Sequence, residues 1–161
     1  MKAIGAVLVF LMSVSVMANN KTSNTQKSNG PLLIKSSGSG FTPAAWARSE
    51  VCELYQDKVV ITKSYGFGES ETTMSQTINI KLTGDIKAVI ALSAKEKLQE
   101  TDNQMCDGPS TLTRALSENL SEDLVLFNTG ACGSKRKNRT GPYSFRLKDM
   151  IDTYCSKTYG F

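Results

Sequence analysis

From Thr73 to Leu82 the chain reads TMSQTINIKL. Met74, Ile78, Ile80 and Leu82 share one parity, and Ser75, Thr77, Asn79 and Lys81 the other. A two-residue period sends successive side chains to opposite faces, so this stretch predicts a β-strand with one buried face. The period then changes at once. In TGDIKAVIALSAKEKLQE, residues Ile86, Val89, Ile90, Ala94 and Leu98 recur at steps of three and four, with Lys and Glu on the opposite side. That is an amphipathic helix, with Thr83 or Asp85 placed to cap its start. A half-buried strand running straight into a half-apolar helix calls for layers, the helix covering the sheet.

The flanking segments fit that frame. VCELYQDKVVITKSY reads as two short strands about a turn at Gln56, Asp57 and Lys58, and GFGES as the next turn. CDGPS breaks the chain, because Gly108 and Pro109 do not continue a regular element. LTRALSENL is ambiguous between helix and strand. DLVLFNTG is apolar enough for an interior strand, and Pro142 is well placed to open a last helix, YSFRLKDMIDTYC, with Leu147, Met150, Ile151, Tyr154 and Cys155 on one face. The expected fold is therefore α+β: a small, mostly antiparallel sheet with two amphipathic helices on one side.

The start of the chain sets the compartment. Lys2 precedes an apolar or small run from Ala3 to Val16 that ends in VMA. A charged start, short apolar stretch and small-residue exit predict a cleaved secretory signal, residues 1–18, of bacterial character. The run is shorter than the roughly 20 residues of a membrane span, so no transmembrane segment is expected. Residues 19–44 are rich in Asn, Ser, Thr, Gly and Lys and are expected to form a flexible polar leader, with PLLI as an exception able to dock on the domain. Residues 45–158 form the single domain and 159–161 a tail. The expected location is periplasmic or extracellular.

Four cysteines, Cys52, Cys106, Cys132 and Cys155, follow the signal. An even number in an exported chain predicts two disulfides, and three connectivities are open. The favoured pairing is Cys106–Cys132 and Cys52–Cys155, the second fastening the domain's first strand to its last helix.

The chain has no histidine. That removes Ser-His-Asp and Cys-His catalysis and any histidine-built zinc site. The cysteine spacing matches no zinc or redox motif, the Gly-rich stretches lack the context of a phosphate loop, and Glu69 and Glu71 read as solvated turn acids. Asn20, Asn119 and Asn138 each begin an N-x-[ST] triplet; with a signal of bacterial character these read as chance in a chain rich in Asn and Thr, and in a eukaryotic host they would be glycosylation candidates. No cofactor, metal or catalytic residue is expected.

Charge is the remaining signal. The net charge of +4 is mild, but no acid lies between Asp123 and Asp149, while Lys135, Arg136, Lys137, Arg139, Arg146 and Lys148 all do. CGSKRKNRTGP is the peak of this basic tract. Lys135, Arg136, Lys137 and Arg139 are expected to form an exposed loop that attracts an anionic polymer, a lipid head group or an acidic protein. The loop contains no aromatic residue, so base-specific nucleic-acid binding is not expected. The expected role is that of a non-catalytic binding or accessory module. Two alternatives stand beside it: a secreted protease inhibitor offering a Lys or Arg bait next to Cys132, and a purely structural envelope protein.

Overall fold

The computed structural model describes residues 30–40, 42–66, 68–103, 108–116, 122–130 and 133–156. The signal and its cut, residues 19–29 of the leader, Cys106, Cys132, Asn20, Asn119 and the 159–161 tail lie outside them.

Eight strands form one sheet: β1 (Leu33–Gly38), β2 (Arg48–Leu54), β3 (Lys58–Tyr65), β4 (Thr72–Asn79), β5 (Leu98–Asp102), β6 (Ser110–Ala115), β7 (Leu124–Asn128) and β8 (Lys135–Arg139). The order across the sheet is β4-β3-β2-β1-β6-β7-β8-β5, and every neighbour pair is antiparallel. Helices α1 (Ile86–Ala94) and α2 (Pro142–Cys155) pack on each other, and their apolar stripes cover one face of the sheet. The architecture is α+β. No helix among the described residues is long and apolar enough to cross a membrane.

The alternation in β4 is real, but its burial is graded. Leu82 is buried, Ile78 and Ile80 are partly covered, and Met74 at the far end is 39% exposed, because the helices reach only one end of this edge strand. The core comprises Leu33, Leu54, Ile61 and Leu126 from the sheet with Ile86, Ile90, Leu147 and Ile151 from the helices.

Two boundaries differ from the sequence reading, and one open segment is resolved. Residues 33–38, assigned by composition to the leader, form β1, a central strand paired with β2 on one side and β6 on the other. Leu32, Leu33 and Ile34 are buried, so PLLI is part of the sheet. The first helix ends at Ala94, and Leu98 begins β5 instead of a fourth turn. LTRALSENL resolves as strand where it is described, since Leu112–Ala115 belong to β6.

Local chemistry explains the helix limits. Asp85 caps α1, its carboxylate accepting the Ala88 N–H at 3.0 Å. Pro142 sits in the first turn of α2, where its missing N–H costs nothing. Glu96 caps α2 from outside: its carboxylate accepts the N–H groups of Tyr143 and Ser144 at 2.8 Å each, as well as the Ser144 hydroxyl. Reaching that position requires the chain to leave the helix before Glu96.

Among the described residues there is one disulfide, Cys52–Cys155, with Cα atoms 6.0 Å apart and a sequence separation of 103. It ties the end of α2 to β2. Because β1 precedes it, Cys52 lies on the second strand, not the first.

Candidate functional site

The basic stretch is a strand, which corrects the reading of residues 135–139 as a loop. β8 pairs with β5 through Asp102↔Lys135, Thr101↔Arg136, Glu100↔Lys137, Gln99↔Asn138 and Leu98↔Arg139, and with β7 through Phe127↔Asn138 and Asn128↔Lys137. Strand alternation then divides the four cations. Lys135, Lys137 and Arg139 share one face, whereas Arg136 and Asn138 share the other, the side that carries α1 and α2. Glu100 supplies the physical reason that like charges are tolerated on a strand. Its carboxylate stands 3.7 Å from both Lys135 Nζ and Lys137 Nζ.

Arg139 is committed to the fold. Its guanidinium donates to the carbonyls of Val125, Ala94 and Glu96, joining β7 to the C-terminal end of α1. Nearby charge and hydrogen bonds also act on Glu96. Burial alone would raise its pKa, but the Ser144 hydroxyl, the Tyr143 and Ser144 amides and the Arg139 charge outweigh this and hold the carboxyl below its ordinary value. Arg136 is different: it stacks over Phe127, 5.1 Å from the ring centroid.

That stack borders a cleft of about 550 Å³ between α2 and the β1–β6–β7–β8 part of the sheet. One face of α2 supplies Phe145, Lys148, Asp149 and Asp152. The sheet supplies Lys35, Thr111, Thr113, Phe127 and Asn138. Phe145 is 69% exposed at the rim. Lys35 is paired with Asp152 at 2.6 Å. Lys148 is not paired in this way. Its ammonium donates to Asn138 Oδ1 at 2.8 Å and to the Arg139 carbonyl at 2.9 Å, both neutral acceptors. Burial lowers its pKa, partly offset by the more distant charges of Asp152 and Glu96. The cleft therefore combines a partly desolvated lysine, the Lys35–Asp152 ion pair, a second carboxylate at Asp149, two hydroxyls, an amide and an exposed ring, with the Arg136 guanidinium stacked on its Phe127 wall.

A second depression on the same face, about 390 Å³, is lined by Ser37, Arg48, Glu50, Lys63 and Tyr65 among others. Its charges are already matched, with Lys63 3.8 Å from Glu50 and Arg48 over the Tyr65 ring. Glu69 lies in a short 3-10 turn, and it and Glu71 are exposed. Among the described residues, no group of three or more His, Cys, Asp or Glu side chains is placed to hold a metal.

None of the four expected binding residues lines this cleft: Arg136 meets it only through its stack on Phe127, while Lys137 and Arg139 line a separate depression of about 250 Å³ with Leu98, Glu122, Asp123, Leu124 and Val125. Lys148 stood in the basic tract without being singled out. Lys35, Asn138, Phe127 and Phe145 are brought together by sheet order, which no local pattern reveals. The chain matches no protein-family model, and no curated protein or solved structure is detectably similar to it.

Proposed function

We propose that this chain is an exported, non-catalytic binding module whose cleft beside α2 takes the anionic group of an acidic envelope polymer. The observation that supports this most is Lys148, a half-buried ammonium held by two neutral acceptors in an open cleft. An incoming carboxylate, sulfate or phosphate would offset the desolvation of that charge. Arg136 stands over Phe127 as a second cation, and Thr111, Thr113 and Asn138 offer groups that can bind sugar-like hydroxyls. Phe145 offers a flat apolar face at the rim. Few polar groups placed around aromatic surface is the ordinary composition of a ligand site.

Export also implies a second disulfide, Cys106–Cys132. The described residues flanking those cysteines support it: Asn103 bonds to the Ser134 carbonyl at 3.0 Å through its N–H and to the Gly130 carbonyl at 3.1 Å through its side chain.

The test is titration of the protein with polygalacturonate, with neutral dextran as control and anionic vesicles and an acidic peptide as further arms. Salt-sensitive binding to the acidic glycan, lost in the Arg136→Ala/Lys148→Ala double variant and kept in Lys135→Ser/Lys137→Ser, is the expected result. Loss in the second variant with retention in the first would move the site to the opposite face. Binding confined to vesicles or peptide would replace the polymer as the ligand.

A further inference from the structure

Among the described residues, one edge of the sheet is left unprotected. Edge strands expose backbone donors and acceptors, and natural sheets blunt them with charge, proline or a bulge. The β5 edge carries Glu100 and Asp102. The β4 edge, TTMSQTIN, has no charge and no proline, and its eight-residue register with β3 is unbroken.

The free backbone groups can be assigned. Ile80 N–H donates to the Asp57 carbonyl at 2.9 Å, so even-numbered residues of this strand turn their backbone toward β3. Thr73, Ser75, Thr77 and Asn79 therefore point theirs outward. Gln76 adds a second observation: its side-chain Oε1 is buried and has no hydrogen-bond partner. An orphaned buried acceptor of this kind gives up its hydrogen bond to water without gaining another.

We propose that two copies of this chain pair antiparallel through β4 about a twofold axis at Gln76. With Gln76 opposite its own symmetry mate, Thr73 faces Asn79 and Ser75 faces Thr77, matching outward backbone groups at all four residues. Glu71 then faces Lys81 at both ends of the pairing. Both are exposed, and neither forms an ion pair among the described residues. Met74 faces Ile78, covering an exposed apolar side chain. Gln76 falls at a non-hydrogen-bonded position, where opposing side chains approach most closely, so turning the side chain out of its buried position lets each Oε1 receive the other's amide. Shifting the register by two residues sets Gln76 against Met74 or Ile78 and leaves the acceptor orphaned. The contact is isologous and closes on itself, keeping the helices of both copies on the same side of one continuous sheet.

Sedimentation equilibrium of the protein over a wide concentration range tests this, with reversible monomer–dimer association expected. Ser75→Pro removes an outward N–H and keeps the backbone ladder to β3, giving up only the exposed hydroxyl contact with Thr62, and should abolish the dimer while the circular dichroism spectrum stays native. Glu71→Lys should weaken association at least tenfold, and adding Lys81→Glu should restore it. Gln76→Cys should yield a disulfide between position 76 of both chains, since such pairs lie within disulfide reach. Preferential cross-linking of Met74→Cys or Ile78→Cys, or failure of the charge swap to restore association, would overturn the register. A protein that remains monomeric at millimolar concentration, or that grows into open filaments, would overturn the proposal.

Discussion

Glu96 and Gly141 are fitted to one another: a Cβ on residue 141 would overlap the Glu96 carboxyl carbon. That space lets a side chain from the end of α1 cap the start of α2. Gly141→Ala must therefore displace the carboxylate, and Glu96→Ala removes it. Each is expected to cost about 1–2 kcal/mol, as for loss of a helix cap, and the double variant should cost little more than either alone. Thermal unfolding of all three measures this.

The same carboxylate sets an acid limit. Its folded pKa lies below its ordinary value of 4.5, so its contribution is complete above about pH 4.5 and is lost as pH falls through the folded pKa. Melting temperature against pH should show this loss in the wild type, and a smaller one in Glu96→Gln.

Removing the Cys52–Cys155 bridge, which spans 103 residues, is expected to cost roughly 4–5 kcal/mol on the loop-entropy account. The Cys52→Ala/Cys155→Ala variant should lose a large part of its denaturant midpoint. Peptide mapping of the oxidised protein should also recover Cys106 joined to Cys132; a Cys106–Cys155 peptide would refute both assignments.

Lys148 gives the binding reaction a pH dependence. Its folded pKa lies below 10.5, and only the charged form attracts an anion. Affinity for polygalacturonate should therefore fall as pH rises through that lowered value, earlier than for an exposed lysine. Lys148→Arg, which stays charged, should remove the dependence on the alkaline side.

Trp46 is the only tryptophan and is 73% exposed. Its fluorescence should resemble that of free indole and change little on unfolding. Collisional quenching by acrylamide should be nearly the same in native and denatured protein.

Strands and helices with an apolar period could be read from the residues: β2, β3, β4 and β7 and the bodies of both helices follow their patterns. The segments that could not be read owe their form to distant partners. β1 beyond Ile34 is Lys35-Ser36-Ser37-Gly38, with no strand signal, and is held by ladders on both sides and by the Lys35–Asp152 pair. β8 is a run of cations that pairs because Glu100 lies across from it. The helical period through Leu98 was overridden by the demands of Glu96 and Arg139, which take the chain out of α1. Composition found the basic tract, but strand alternation put Arg136 alone of the four strand cations on the cleft side of the sheet, and the tract residue that lines the cleft is Lys148 on α2.

The position of β1 has a consequence for how the chain acquires its shape. A chain emerging from a pore N-terminus first can zip β2, β3 and β4 onto β1 as they appear, because each lies next to its predecessor. The other flank of β1 must wait for residues 110–115. Until then the middle of the finished sheet is a bare rim, and closing it requires a long-range search that slows folding. Covering that rim is thus tied to the passage of about seven-tenths of the sequence, and any holding factor acting on the incomplete chain would meet it at Leu33–Gly38.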